Sequence, residues 1–175
     1  MDNIIIRTAV IDDAAEILKI YKYYILNTAI SFEYTIPSLE EFKNRIKKTL
    51  ESYPYLVACI NNEILGYAYA GALGSREAYK YSVELSVYVN KEYKKQGIGK
   101  LLYTHLETTL KAMGITNLYA NVAIPTKPKD EYLDFNSLNF HKHLGFKQIG
   151  EYHKCGYKFN HWYSIVSLEK IIIQH

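Results

Sequence analysis

One stretch, Ser82 to Met113, constrains this chain more than any other. From Ser82 to Asn90, apolar Val83, Leu85, Val87 and Val89 alternate with Glu84, Ser86 and Tyr88. A period of two predicts a strand with one face in a core and the other toward something polar. Next comes Lys94-Lys95-Gln96-Gly97-Ile98-Gly99-Lys100, two glycines one residue apart among lysines. Beyond it Ile98, Leu101, Leu102, His105, Leu106, Leu110 and Met113 recur at helical spacing, and Gly114 supplies a stop. Two glycines before a helix more often mark only a tight turn. Here they join an acid-bearing strand to an amphipathic helix, and backbone N–H groups at a helix N-terminus make an anion site suited to a pyrophosphate.

At 175 residues the chain has the length of one domain, with no internal repeat and no low-complexity tract. Its 49% hydrophobic and 22% charged residues are ordinary for a globular protein, so no disordered or fibrous class is needed. A net charge of +3 helps to hold a polyanion but is too small to argue for nucleic acid. Two cysteines, Cys59 and Cys155, fit neither a metal site nor a disulfide framework and suit a reducing compartment. Met1-Asp2-Asn3 does not open a signal peptide, and no apolar run reaches membrane length. The expectation is a soluble, cytoplasmic protein. Eighteen tyrosines suit half-wet pocket walls, although an AT-rich coding sequence, which raises Tyr, Lys, Ile and Asn together, is the simpler account.

Taken in order, Ile4-Ile5-Ile6 is a short buried strand feeding Asp12 and Asp13, which can cap a helix striped by Ile17, Leu18, Tyr21 and Ile25. Asn27 to Pro37 is a joint with neither periodicity. Ser38-Leu39-Glu40-Glu41 reads as a capping box for a second helix reaching about Leu50. Tyr55–Ile60 and Ile64–Ala70 form a hairpin about Asn61-Asn62. Leu118–Ile124 is the strand after the central helix, Pro125 to Leu133 is a polar excursion, and Asn136-Ser137 opens a helix ended by Gly145-Phe146. Strands near Lys147–Tyr152 and Trp162–Leu168 close the sheet, with Cys155–His161 turning between them.

The order of acid-bearing strand, basic Gly-x-Gly loop, helix and second apolar strand resembles the core of the GNAT acyltransferases. That family's loop is Arg/Gln-x-x-Gly-x-Gly/Ala, matched here from Lys94 to Gly99 with Lys in first place. Within the family the chain is similar to the phosphinothricin and methionine sulfoximine N-acetyltransferases. The matching pieces include Tyr53–Ala58, Gly66–Gly71, Ala78-Tyr79, Val83-Glu84, Ser86–Val89, Leu102-Tyr103, Phe140-His141, Leu144–Phe146, and Lys158 with His161-Trp162. The likeness runs from about Ile5 to Leu168. It implies an α/β (α+β) fold, with a mixed sheet of six to seven strands and about four helices, in a single domain. It implies acetyl-CoA as co-substrate and a small amino-acid-like amine as acceptor. Two departures stand out. Pro125–Leu133 is inserted before the last helix, and Asp134 stands where the family has Asn, leaving Asp134 or Asn136 to meet the cofactor.

Acetyl transfer to an amine needs an unprotonated amine, a polarised carbonyl and a proton for the leaving thiolate. An α-amino group has a pKa of ~7.7–8.0, so a modest base suffices near neutrality. Glu84, on the polar face of the central strand, is the candidate base, directly or through a water; a structural Glu paired to a neighbouring Lys, Tyr or Ser is the alternative. The backbone of Val87, Tyr88 and Val89 would pair with the pantetheine arm as an added strand, and an N–H there would polarise the thioester. Lys94, Lys95, Gln96, Gly97, Ile98, Gly99 and Lys100 would hold the pyrophosphate, with Asn136 beside them. His141 stands where many of the family carry an acidic Tyr, and serves either as general acid or only to shape the pocket. Arg76 matches an acceptor carboxylate bidentately, or is simply solvated. Tyr79 and Phe32, from the Asn27–Pro37 joint, would line the same space. The histidines suggest no metal for want of further ligands. The alternatives are the same chemistry on a polyamine, an aminoglycoside or a protein N-terminus, or a non-catalytic acyl-CoA-binding regulatory module. Neither nucleic acid nor membrane is expected as a partner, and a homodimer is left open.

Overall fold

The periodicities change where the elements end. A computed structural model describes residues 4–174, so the expectation about Met1-Asp2-Asn3 lies outside the described residues. Strand β1 (Ile5–Thr8) leads through a short 3-10 turn into α1 (Ala14–Asn27), and α2 spans Leu39–Leu50. Asp13 does not cap α1; its carboxylate accepts two bonds from Arg7, at 2.6 and 2.8 Å, and one from the Val10 N–H at 2.8 Å. Ser38 does cap α2, its hydroxyl accepting the Glu41 N–H at 3.1 Å. Strands β2 (Tyr55–Ile60) and β3 (Glu63–Ala72) turn on Asn61 and Asn62, both left-handed at φ 47° and 70°, a conformation Asn tolerates. Then come β4 (Ser82–Val89), α3 (Ile98–Ala112), β5 (Asn117–Pro125), α4 (Asn136–His143), β6 (Lys147–Lys158) and β7 (His161–Ile171).

The strands form one sheet in the order β1-β2-β3-β4-β5-β7-β6. Only β4 and β5 are parallel neighbours, and they pair only at Ser82↔Asn117, Val83↔Leu118 and Glu84↔Tyr119. Beyond Glu84 the two strands part, so the sheet opens as a wedge in its middle. Helix α3 covers one face, burying Leu102, Leu106 and Leu110 against Leu85, Leu118 and Leu168. Helices α1 and α2 cover the β1–β4 half of the other face with Ile17, Ile25 and Ile46. Tyr55, Tyr67 and Tyr69 stack nearly parallel in that layer, with Tyr88 against Tyr67 at 5.3 Å and edge-on to Tyr21 and Tyr24. A third, small cluster of Ala29, Ala123, Leu133 and Tyr163 ties the α1–α2 joint to the far half of the sheet.

The last hairpin corrects the sequence expectation. Cys155 to Lys158 belong to β6 rather than to a turn, and the turn is only Phe159-Asn160, left-handed at φ 50° and 59°. A bulge between Tyr152 and Gly156 interrupts the alternation, with Lys154 at φ 47° and its N–H bonded to the Ser164 hydroxyl at 3.0 Å. An unpaired residue breaks the two-residue period, which is why the strand reads as a loop. Among the described residues no helix is long and apolar enough to cross a membrane.

Candidate active site

The wedge is where this backbone has bonding capacity left over. In an antiparallel ladder a residue's N–H and C=O point to the same side, and successive residues alternate. The Asn90 N–H bonds the Leu65 carbonyl, and the Ser82 carbonyl accepts from Leu73, so even-numbered residues of β4 serve β3. Val87 and Val89 therefore turn their backbone groups into the wedge, where β5 has already moved away after the Glu84↔Tyr119 pair. Of the strand residues expected to meet a pantetheine arm, Val87 and Val89 face that opening. Tyr88 does not: the alternation gives its backbone to β3, and its ring lies in the tyrosine layer. The Val89 carbonyl is itself bonded by the Tyr24 hydroxyl at 2.5 Å, so the end of α1 crosses the wide end of the wedge. Burial in that contact pushes the Tyr24 phenol up to about 12.

At the same end lies the glycine loop. Gly97 is the N-cap of α3 at φ +82°, a left-handed conformation natural to glycine, and a Cβ there would meet nothing within 4 Å. The first bond of the helix runs from the Leu101 N–H to the Gly97 carbonyl, and no side chain caps the end. The N–H groups of Ile98, Gly99 and Lys100 are thus left without helical acceptors at the positive end of the macrodipole. Those donors and the open space above Gly97 fit a phosphate group. Ile98 buries its side chain in the core, so it can offer only backbone. Gly99 sits beneath Phe140, whose ring would lie 3.2 Å from an added Cβ. Lys95, Gln96 and Lys100 are exposed, Lys95 left-handed at φ 63°. Lys94 reaches back over the rings of Tyr23 and Tyr24, at 5.2 and 5.1 Å; partial burial lowers its pKa and Asp134 opposes the shift. Asp134 and Asn136, the two rivals for the cofactor, bond each other: the Asn136 N–H donates to Asp134 at 2.9 Å and its side-chain amide to the other carboxylate oxygen.

Glu84 occupies the last pair before the sheet opens, opposite Gly71 on one side and Tyr119 on the other. Its side chain leaves on the face away from α3, and its half-buried carboxylate has no hydrogen bond or ion pair among the described residues. That face continues across β5 and β7 as a polar floor. Tyr119 donates to Glu169 at 2.8 Å, and the Ser167 hydroxyl bonds Asn121 at 2.7 Å. Tyr119 and Asn121 alternate with Leu118, Ala120 and Val122, so this floor was readable in the sequence though it went unread.

His141 is 4% exposed and has both ring nitrogens engaged. The Ser137 carbonyl accepts from Nδ1 at 2.7 Å, which leaves Nε2 to accept the Tyr103 hydroxyl at 3.1 Å. Burial lowers its pKa, so near neutral pH the ring is uncharged and has no N–H to spare. Arg76 is exposed, with no hydrogen bond or ion pair among the described residues, and Tyr79 packs beside Gly74 on the loop entering β4. Phe32 lies in the joint against Gly156, where an added Cβ would come within 2.1 Å of the ring. Lys158, which the sequence marks only as part of a stretch matching the family, is buried beneath that joint.

The family described as "Acetyltransferase (GNAT) domain" matches residues 6–166. The phosphinothricin N-acetyltransferase of Streptomyces viridochromogenes is 31% identical over 160 residues, 91% of this chain and 83% of that protein. An L-methionine sulfoximine/L-methionine sulfone acetyltransferase of Salmonella typhimurium is 28% identical over 97% of this chain and 95% of its own. Among solved structures, the phosphinothricin acetyltransferase of Sinorhizobium meliloti in complex with AcCoA superposes with a TM-score of 0.86 at 31% identity, covering 96% of this chain and 88% of that one.

Proposed function

Since the chain belongs to the GNAT acetyltransferase family, we propose that this N-acetyltransferase moves an acetyl group from acetyl-CoA to the amino group of a small amino-acid-like acceptor. The observation that carries the reading is the free carboxylate of Glu84 at the mouth of a wedge whose β4 edge has unpaired backbone. Acetyl-CoA brings the activated acyl group as a thioester; the chain's own residues do the rest. The α3 N-terminus would hold the pyrophosphate, and the Val87 edge would align the pantetheine amides as an added strand. A wedge-facing N–H would stabilise charge growing on the thioester oxygen, an effect worth ~2.7–4 kcal/mol for one such donor in other enzymes.

Glu84, directly or through a water, would take a proton from the acceptor's ammonium on the polar floor side, so that the free amine attacks the thioester; the nitrogen's second proton leaves to solvent as the C–S bond breaks. His141 shapes the pocket in this reading, holding Tyr103 and α4 rather than donating. The departing thiolate, with a Cys-like pKa of ~8.5, needs no strong acid and takes its proton from solvent. Arg76, exposed on the loop that enters β4, would bind an acceptor carboxylate. Relatives named for phosphinothricin and methionine sulfoximine support an acceptor that carries both amine and acid.

A thiol-release screen with acetyl-CoA tests this. Amino acids, methionine sulfoximine and phosphinothricin are expected to release CoA well above background; preference for spermidine or an aminoglycoside would overturn the acceptor class and leave the transferase intact.

A further inference from the structure

Lysine is almost never fully buried unless something answers its charge. Lys158, near the end of β6, is 2% exposed and makes no ion pair among the described residues. Its Nζ donates instead to three carbonyls, those of Ile25 at 2.8 Å, Thr28 at 2.9 Å and Ser31 at 2.6 Å. The first belongs to the last turn of α1, where orphan carbonyls and the negative end of the helix dipole welcome a cation. The others belong to the joint. Burial lowers the lysine's pKa to about 8, with Glu33 opposing the shift from a distance, so three carbonyls only partly answer the charge. A well-packed apolar side chain commonly matches or exceeds the stability of a buried ionic group. Stability alone is therefore a weak reason for placing a lysine here.

What the lysine does hold is position. The joint leaves α1 one turn after Tyr24, which is bonded to Val89 on one side of the wedge, and runs to the far side. There the Ala29 N–H bonds the Tyr132 carbonyl at 3.0 Å, Phe32 presses on Gly156, and the Tyr34 hydroxyl bonds the Tyr157 carbonyl. It therefore bridges the opening on the face where the Glu84 side chain emerges. Between Thr28 and Pro37 the chain has no helix or strand to hold it, and Lys158 binds that path at Thr28 and Ser31 while tying both to the Ile25 carbonyl of α1; Tyr21 adds bonds to Ser31 and Glu33.

We propose that Lys158 is a positioning residue for acetyl transfer: by locking residues 28–31 over the polar floor it sets the affinity for the acceptor amine without touching either substrate. This rests on the reading of that floor as the acceptor site. The lysine is far in sequence from what it holds, and it ties the final hairpin to the first helix.

The test compares Lys158→Met and Gly156→Ala with wild type. Lys158→Met keeps the apolar stem and removes the donors; Gly156→Ala keeps the lysine and displaces Phe32 from the same joint. KM for the acceptor is measured by thiol release, and the acetyl-CoA dissociation constant by calorimetry. Both variants are expected to raise acceptor KM ~10-fold or more while acetyl-CoA affinity stays within about twofold. Acceptor KM unchanged in a folded variant, or acceptor KM and acetyl-CoA affinity worsening together, would overturn the proposal. If Lys158→Met fails to fold, Lys158→Gln, which keeps a shorter donor and loses the three-way grip, is read by the same two measurements. The assay uses whichever acceptor the wild type takes, so a polyamine there sinks the amino-acid reading and leaves this test standing.

Discussion

Glu84 and Tyr88 stand four residues apart on one strand, and the sheet gives them opposite fates. Both leave β4 on the same face, but Tyr88 lies under α1 in the tyrosine layer, whereas Glu84 lies beyond the helices, beside Tyr119. The carboxylate thus stands at the opening of the wedge with no hydrogen bond or ion pair among the described residues to occupy it. Glu84→Gln keeps the size and the polarity and removes the base. Its kcat is expected to fall ~10²-fold or more at neutral pH, with the acetyl-CoA dissociation constant unchanged. A normal rate, or a pH–rate profile identical to wild type, would return Glu84 to a structural role. His141 shows the limit at this scale. Its helical position is plain in Phe140-His141, but its engagement with Ser137 four residues earlier and with Tyr103 on another helix depends on packing.

Among the elements, the β4–α3 unit does most to shape the site. An alternating strand must end where its partner leaves, and the helix must begin with donors that nothing caps. Gly97 serves both, since its left-handed backbone turns the chain without placing a side chain over the open N–H groups. Gly97→Val puts a β-branched residue where φ is positive, a strain of roughly 1–3 kcal/mol, and its side chain enters the open space proposed for phosphate. Acetyl-CoA affinity should fall at least tenfold, far beyond what a modest drop in melting temperature explains; calorimetry and thermal unfolding separate the two. Unchanged affinity would remove the pyrophosphate from this loop. Hairpin β6–β7 makes the opposite case: its bulge at Lys154 hides the last six residues of β6, 153–158, from a reading based on period alone.

Across the whole molecule, the acceptor space proposed above is drawn from parts that share no local signal. Arg76 comes from the loop before β4, Phe32 from the joint after α1, and Asn121 and Ser167 from β5 and β7, while Lys158 of β6 holds the joint from behind. An exposed guanidinium on the loop that enters β4, with Glu84 and Glu169 on the floor, suits the proposed acceptor with both charges. Arg76→Ala is expected to raise the acceptor's KM ~10–100-fold, the loss of one charged hydrogen-bond pair, while KM for acetyl-CoA barely moves. An unchanged acceptor KM would release Arg76 from the site. The sequence by itself determined the seven-stranded fold's central unit, the helix boundaries, the glycine loop and the acid on the polar face. These follow from periods of two and 3.6 and from turn chemistry, which act within a few residues. Only the tertiary structure decided how far β4 and β5 stay paired, which β4 groups face the gap, that His141 has no free N–H, and that Lys158 holds the joint. Each of these depends on twist, ladder parity or contacts between distant segments, which no local pattern encodes.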